Sequence, residues 1–149
     1  MDPVSALGVA GNVIQLVQFS ASIIKSFLSF YNDLGPEGLP PRYEDYIFRA
    51  RDLESSNVEL KKKLTPKGLK RPLTTTERDI VTVTDECIKV AKLLLRTLET
   101  FKAANDDGRW AKALNAFKAS RNNDKIQSLL QQLQSLREQL LLNIVLNLR

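Results

Sequence analysis

From Pro3 through Ile24 the chain carries no charged side chain, a run of 22 residues that continues without a proline until Gly35-Pro36. Asp2 followed by Pro3 reads as a helix start, since the carboxylate accepts from orphan N–H groups and Pro suits the first helical position. Gly35-Pro36 reads as the stop, which predicts one helix running to about Leu34. Its apolar residues recur at helical spacing in two stripes. One is Val4, Leu7, Ile14, Val17, Ala21, Ile24, Leu28 and Tyr31, the other Val9, Val13, Leu16, Ile23, Phe27, Phe30 and Leu34. Together they cover more than half the circumference. What remains is a narrow strip of small or uncharged polar residues: Gly8, Gly11, Gln15, Gln18, Ser22, Ser26 and Ser29, with Asn12 beside it. An arc this wide has to be covered, by other helices or by lipid. A membrane span needs ~20 residues, so the length suffices, but Asn12, Gln15, Gln18 and the Ser and Gly residues make a wet lone span. It suits a membrane as one of several copies, with the strip facing its neighbours or a pore. The central helix of a soluble bundle needs the same arc. A signal peptide fits poorly, because Asp2 precedes the apolar run and there is no basic leader.

The rest of the chain is also helical in pattern. A loop over residues 35–40 precedes a second helix over 41–64, with a narrow stripe of Tyr43, Tyr46, Ala50, Leu53, Leu60 and Leu64, Ile47 beside it, and charge on its other faces. Pro66, Gly68 and Pro72 interrupt it. Thr74-Thr75-Thr76-Glu77 has the form of a capping box and opens a third helix to about Ala104 on Ile80, Thr84, Cys87, Ala91, Leu94, Leu98 and Phe101. Asn105-Asp106-Asp107-Gly108 is a turn. A short helix over 109–119 places Trp110, Leu114 and Phe117 on one side. Asn122-Asn123 caps the last, whose heptad stripe is Ile126, Leu129, Leu133, Leu136 and Leu140. No run alternates with period two for long enough to make a strand. The pattern predicts a single all-α domain over residues 1–149: a helical bundle of four long helices and one short one, with the first helix central. From residue 140 to 148 the last helix is apolar on every side and ends without a capping signal, as expected of a chain cut from a longer protein; this run either packs against the first helix or continues into a following domain.

Composition narrows the chemistry. With 149 residues there is room for one well-filled core. The absence of histidine removes imidazole-based triads, metal sites and proton shuttles. A single cysteine, Cys87, forbids an internal disulfide, makes structural zinc unattractive and favours a reducing compartment. No phosphate-binding glycine loop is present. Cys87 lies on a core stripe and reads as a small buried hydrophobe, and Trp110 as a core anchor. Nothing is spaced for catalysis, and no cofactor is expected. The net charge is +5, and six cations without an anion gather over residues 61–71: Lys61, Lys62, Lys63, Lys67, Lys70 and Arg71. Such a cluster suits either a solvated loop or an anionic leaflet, where each cation contributes ~1 kcal/mol. No aromatic residue is interleaved for base stacking, so nucleic acid is not expected as a partner.

The opening Met-Asp-Pro-Val-Ser-Ala-Leu-Gly-Val-Ala-Gly-Asn-Val-Ile-Gln-Leu-Val-Gln-Phe of residues 1–19 resembles the start of the HeLo-like and SesA-type amino-terminal domains of fungal STAND proteins, the NLR-like receptors. The likeness continues through Cys87, Ala91, Leu94, Leu95 and Leu98, through Trp110, Ala113 and Leu114, and into the Leu-rich last helix closing in Asn147-Leu148-Arg149. It covers nearly the whole chain. The resemblance implies a helical effector domain at the front of a receptor, with a nucleotide-binding oligomerisation module and a repeat sensor behind it. HeLo-type domains are regarded as cell-death executioners that attack membranes through their first helix. Carried onto this chain, the inserting face would be Val4, Leu7, Val9, Val13, Ile14, Leu16, Val17 and Phe19. The strip that meets other copies or a pore would be Gly8, Gly11, Asn12, Gln15, Gln18 and Ser22. The implied partners are anionic lipids, further copies of the chain and the following nucleotide-binding domain. The implied location is the cytoplasm at rest and the membrane on activation. The wetness of the first helix departs from a firm span and makes oligomerisation a prerequisite. The competing expectation is a non-lytic module whose bundle never opens and binds another bundle or an adaptor.

Overall fold

A computed structural model describes the backbone of residues 3–147 apart from 66 and 69, and the side chains of residues 12–142 apart from the same two. It is all-α among these residues, with α1 Pro3–Asp33, α2 Tyr43–Leu64, α3 Thr75–Asp106, α4 Trp110–Ala119 and α5 Asn122–Asn147. The four long helices form a ring in which α1 packs on α2 and α5, and α3 packs on α2 and α5. The short α4 rests against α3. This is the predicted bundle, and its core is the predicted set of stripes: Val13, Ile14, Val17, Ile24, Phe27 and Phe30 of α1 meet Ala50 and Leu53 of α2, Cys87, Leu94 and Leu98 of α3, and Ile126, Leu129, Leu133, Leu136 and Leu140 of α5. Each large aliphatic or aromatic side chain removed from water contributes ~1.5–3 kcal/mol.

The ends of the helices follow local chemistry. Thr74 and Glu77 form the expected capping box: the Glu77 N–H donates to Thr74 Oγ1 at 3.1 Å and the Thr74 N–H donates to Glu77 Oε1 at 3.1 Å. α2 begins at Tyr43 rather than 41, because the chain enters through tighter turns, the Tyr43 N–H donating to Pro40 O and the Asp45 N–H to Arg42 O at 3.1 Å each. α3 runs two residues past the expected end. It stops where Gly108, at φ 74°, takes the left-handed conformation, and the Arg109 N–H donates back to Ala104 O at 2.8 Å.

One end of the bundle is closed by aromatic side chains. Phe30 stacks on Tyr46 at 4.2 Å, Tyr31 meets Phe101 edge-on at 5.9 Å and Phe117 at 4.7 Å, and Phe101 meets Trp110 at 5.3 Å. Such pairs add ~0.5–1.5 kcal/mol each beyond burial. Trp110 is buried as expected, and its indole N–H donates to Gly35 O at 2.8 Å, tying α4 to the α1–α2 loop. The same loop is held to α3 by the Leu39 N–H, which donates to Asn105 Oδ1 at 3.1 Å. Gly38 has φ 104°, a conformation L side chains rarely adopt, and a Cβ there would lie 2.6 Å from that oxygen, so a side chain would strain the turn and push Asn105 aside.

Candidate functional site

The opposite end of the bundle carries the residues singled out from the sequence. α1 and α2 are antiparallel: Phe30 is level with Tyr46, Ser26 with Arg49 and Ser20 with Asn57. The end of α2 therefore lies at the level where α1 begins. α5 meets α1 where Gln18 is level with Arg137, and it runs against α3: Gln139 Nε2 donates to Asp79 Oδ2 at 3.3 Å near the start of α3, while Glu86 further along shares a groove with Ser128 and Gln132. The first turns of α1, the last turn of α2, the basic loop, the cap of α3 and the last turns of α5 share one end.

Of the expected inserting face, Val13, Ile14 and Val17 are in the core, Leu16 is partly buried, and Phe19 stands 40% exposed. Of the expected strip, Asn12, Gln15, Gln18 and Ser22 all face solvent. With its amide oxygen turned toward α5, Gln18 accepts from Arg137 Nε at 3.0 Å and Nη2 at 3.3 Å. The side chains of Val4, Leu7, Gly8, Val9 and Gly11 lie outside the described residues. On α5, Leu140 is buried while Leu141 and Leu142 are exposed.

The six cations divide into two groups. Lys61 Nζ pairs with Asp85 Oδ1 at 2.7 Å, and Arg71 makes a two-pronged pair with Glu77 at 2.9 and 3.0 Å. That Arg71 hydrogen bond, helped by the Thr74 N–H and hydroxyl, pulls the Glu77 carboxyl down to about 2 against a smaller opposing effect of burial. Lys62, Lys63, Lys67 and Lys70 are exposed and have no ion-pair partner among the described residues. Lys61, Lys62 and Lys63 also occupy the last turn of α2, where cations complement the helix dipole.

Several residues that tie α1 in place were not foreseen. Asn57 is buried on α2, and its Nδ2 donates to Leu53 O at 2.8 Å and to Ser20 Oγ at 3.2 Å. The signal was present: the α2 stripe of positions 46, 50, 53, 60 and 64 skips the helical position that Asn57 fills. Burial pushes the Cys87 thiol up to about 12, so it is an inert core side chain as expected. Two arginines reach over α1: Arg49 of α2 donates to Ser26 Oγ at 2.7 Å while lying over the Tyr46 ring, and Arg42, just before α2, lies over Phe30. Between α3 and α5 there is an open groove of about 570 Å³, lined by Glu86, Arg121, Asp124, Lys125, Ser128, Leu129 and Gln132. Both signs of charge alternate along it.

Comparison with protein-family models, curated proteins and solved structures finds no match to the chain.

Proposed function

We propose that this chain is a cell-death effector or signalling bundle of a fungal NLR-like receptor, acting by oligomerisation and by membrane targeting or permeabilisation through α1. The observation that carries the reading is the double character of α1. Residues 12–33 are long and apolar enough to cross a membrane, and the same residues supply much of the core. A core helix of a soluble protein passes the same test, so the case rests on this property together with the lysines at the end where α1 begins. At rest α1 is covered by α2 and α5. Receptor oligomerisation, driven by the following nucleotide-binding domain, raises the local concentration of bundles. α1 then exchanges one apolar environment for another, so the net driving force is small and the switch depends on the oligomer. Lys62, Lys63, Lys67 and Lys70 hold the opening end against anionic lipid, each contributing ~1 kcal/mol at low salt. The protein moves from cytoplasm to membrane on activation.

A second reading, the non-lytic interaction module, is favoured by the depth at which Val13, Ile24, Phe27 and Phe30 are packed. Dye release from anionic and neutral vesicles separates the two, using the chain alone and fused to a forced oligomeriser. Release from anionic vesicles by the oligomer, reduced when Lys62, Lys63, Lys67 and Lys70 are changed to Ser, supports the membrane reading. A confirmed oligomer that releases nothing from either vesicle selects the interaction module.

A further inference from the structure

A linker of residues 65–74 joins α2 to α3. From Leu60 to Thr76 the sequence holds six cations and no carboxylate, and Thr65 stands in their midst. Of the six prolines in the chain, only Pro66 follows a residue with a hydroxyl, which is Thr65. The Thr65 side chain is exposed, as are those of Lys62, Lys63, Lys67 and Lys70. Its backbone has left the helix, at φ −124° and ψ 59°, in keeping with the clash that a following proline makes with helical dihedrals. The hydroxyl donates to Lys61 O at 2.6 Å. That bond folds the side chain back over the last turn of α2, where Lys61 and Lys62 stand four and three positions earlier and are within reach of it.

We infer that Thr65 is a phosphorylation site for a proline-directed protein kinase, and that its phosphate switches off the cationic end of the bundle. The chain offers such an enzyme a single address: an exposed hydroxyl just ahead of a residue that lacks an N–H and cannot continue a helix. Thr65 Oγ1 attacks the γ-phosphorus of a nucleoside triphosphate. The bond from that phosphorus to the bridging oxygen breaks, the nucleoside diphosphate leaves, and the hydroxyl proton passes to the kinase's base. The hydrogen bond to Lys61 O is lost with that proton. The new group carries about −1.5 to −2 charges at pH 7. The dipole of α2 opposes an anion at this end of the helix, so the groups that stabilise the phosphate are the lysines around it. It offsets about two of the four lysines, Lys62, Lys63, Lys67 and Lys70, that have no ion-pair partner among the described residues. Each cation near an anionic leaflet is worth about fivefold in partitioning, so the phosphate weakens binding roughly 30-fold. That consequence rests on the membrane reading of these lysines, whereas the modification itself does not.

The test incubates the purified chain with a proline-directed kinase and ATP, and locates the product by intact mass and fragmentation. The expected result is a single phosphate, on Thr65, that is absent from Thr65→Ala. Circular dichroism checks that each variant folds. Phosphatidylcholine vesicles with and without phosphatidylserine then read the charge. The phosphorylated chain should bind the serine-lipid vesicles roughly 30-fold more weakly than the unmodified chain, and Thr65→Glu about fivefold more weakly. Thr100→Glu is the control, because Thr100 is exposed toward the other end of α3 and donates to Arg96 O as Thr65 does to Lys61 O. It should stay within about twofold of the unmodified chain, since salt screens a charge so far from the lysines. A chain that takes no phosphate at Thr65 overturns the inference. So does a Thr100→Glu variant that weakens binding as much as Thr65→Glu. If the unmodified chain ignores serine-lipid vesicles, it is the membrane reading that fails. The salt needed to elute each variant from an immobilised polyanion then decides the charge effect: Thr65→Glu should leave before Thr100→Glu, and equal elution overturns the inference.

Discussion

Phe19 is the residue at which the resting bundle and the membrane state make the most different demands. It lies on the expected inserting face of α1, but in the folded bundle it is already 40% exposed. Consider Phe19→Lys. Full burial of a Phe side chain is worth ~1.5–3 kcal/mol, about three-fifths of that area is covered here, and the Lys stem keeps part of the contact, so the bundle should lose about 1 kcal/mol. Within a bilayer the exchange is costlier: Phe is mildly favourable and Lys unfavourable by ~2.5–3.5 kcal/mol at the centre of a span. A penalty of about 3 kcal/mol per chain corresponds to ~100-fold in an equilibrium, and it recurs for every copy in an oligomer. The assay is dye release by the oligomeriser fusion, with thermal unfolding of the same sample as the control. The expected outcome is a cooperative melt a few degrees below the unmodified chain and release at least 100-fold slower. A variant that folds and releases dye at the unmodified rate would refute insertion through this face of α1.

Three further outcomes follow from the interactions described. Glu77 titrates near 2 in the folded chain and in the ordinary carboxylate range when unfolded, so its contribution is full above that ordinary range and is lost as pH falls toward 2; thermal midpoints measured from pH 6 to about 2 should fall less steeply for Glu77→Gln than for the unmodified chain. Asn57→Ala removes the Nδ2 hydrogen bonds to Ser20 and Leu53 O and opens a small void, which should cost about 2 kcal/mol in urea unfolding with an unchanged slope. Trp110→Phe keeps the aromatic contact with Phe101 but leaves Gly35 O without its indole partner, and should lower stability by ~1–2 kcal/mol, while the single buried Trp of the unmodified chain should shift its emission to the red on unfolding.

The helices were legible because each announces itself through a local signal. Thr74-Thr75-Thr76-Glu77 contains every group the capping box uses, and the heptad stripe of α5 is buried residue for residue from Ile126 to Leu140. The boundaries that moved did so where two neighbouring signals compete, as at Pro40-Pro41 and at Asn105 to Gly108. The candidate end of the bundle was legible only as separate pieces. That the basic loop stands beside the start of α1 depends on the antiparallel order of the ring, which periodicity does not encode. The pairing of Lys61 with Asp85, the reach of Arg49 to Ser26 and the seat of Asn57 beside Ser20 join residues 23 to 37 positions apart or on different helices, and no single-helix pattern contains them. The polar strip of α1 was seen as a strip. Its contact with α5, Gln18 to Arg137, required knowing that those two helices are neighbours.

The adjacency of the first helix and the last has a consequence for biosynthesis. α2 and α3 follow one another and can zip together as a local hairpin, whereas α1 must wait for a helix whose first residue is Asn122. At a translation rate of ~5–20 residues per second, the delay between the end of α1 and the arrival of α5 is several seconds to tens of seconds. Throughout that interval a long helix, uncharged from Pro3 to Ile24, sits outside the ribosome with one flank bare, and closure over so large a sequence separation is intrinsically slow. Nascent-chain chaperones and the nearest bilayer therefore compete with α5 for the same surface, in every molecule, before the protein is ever complete.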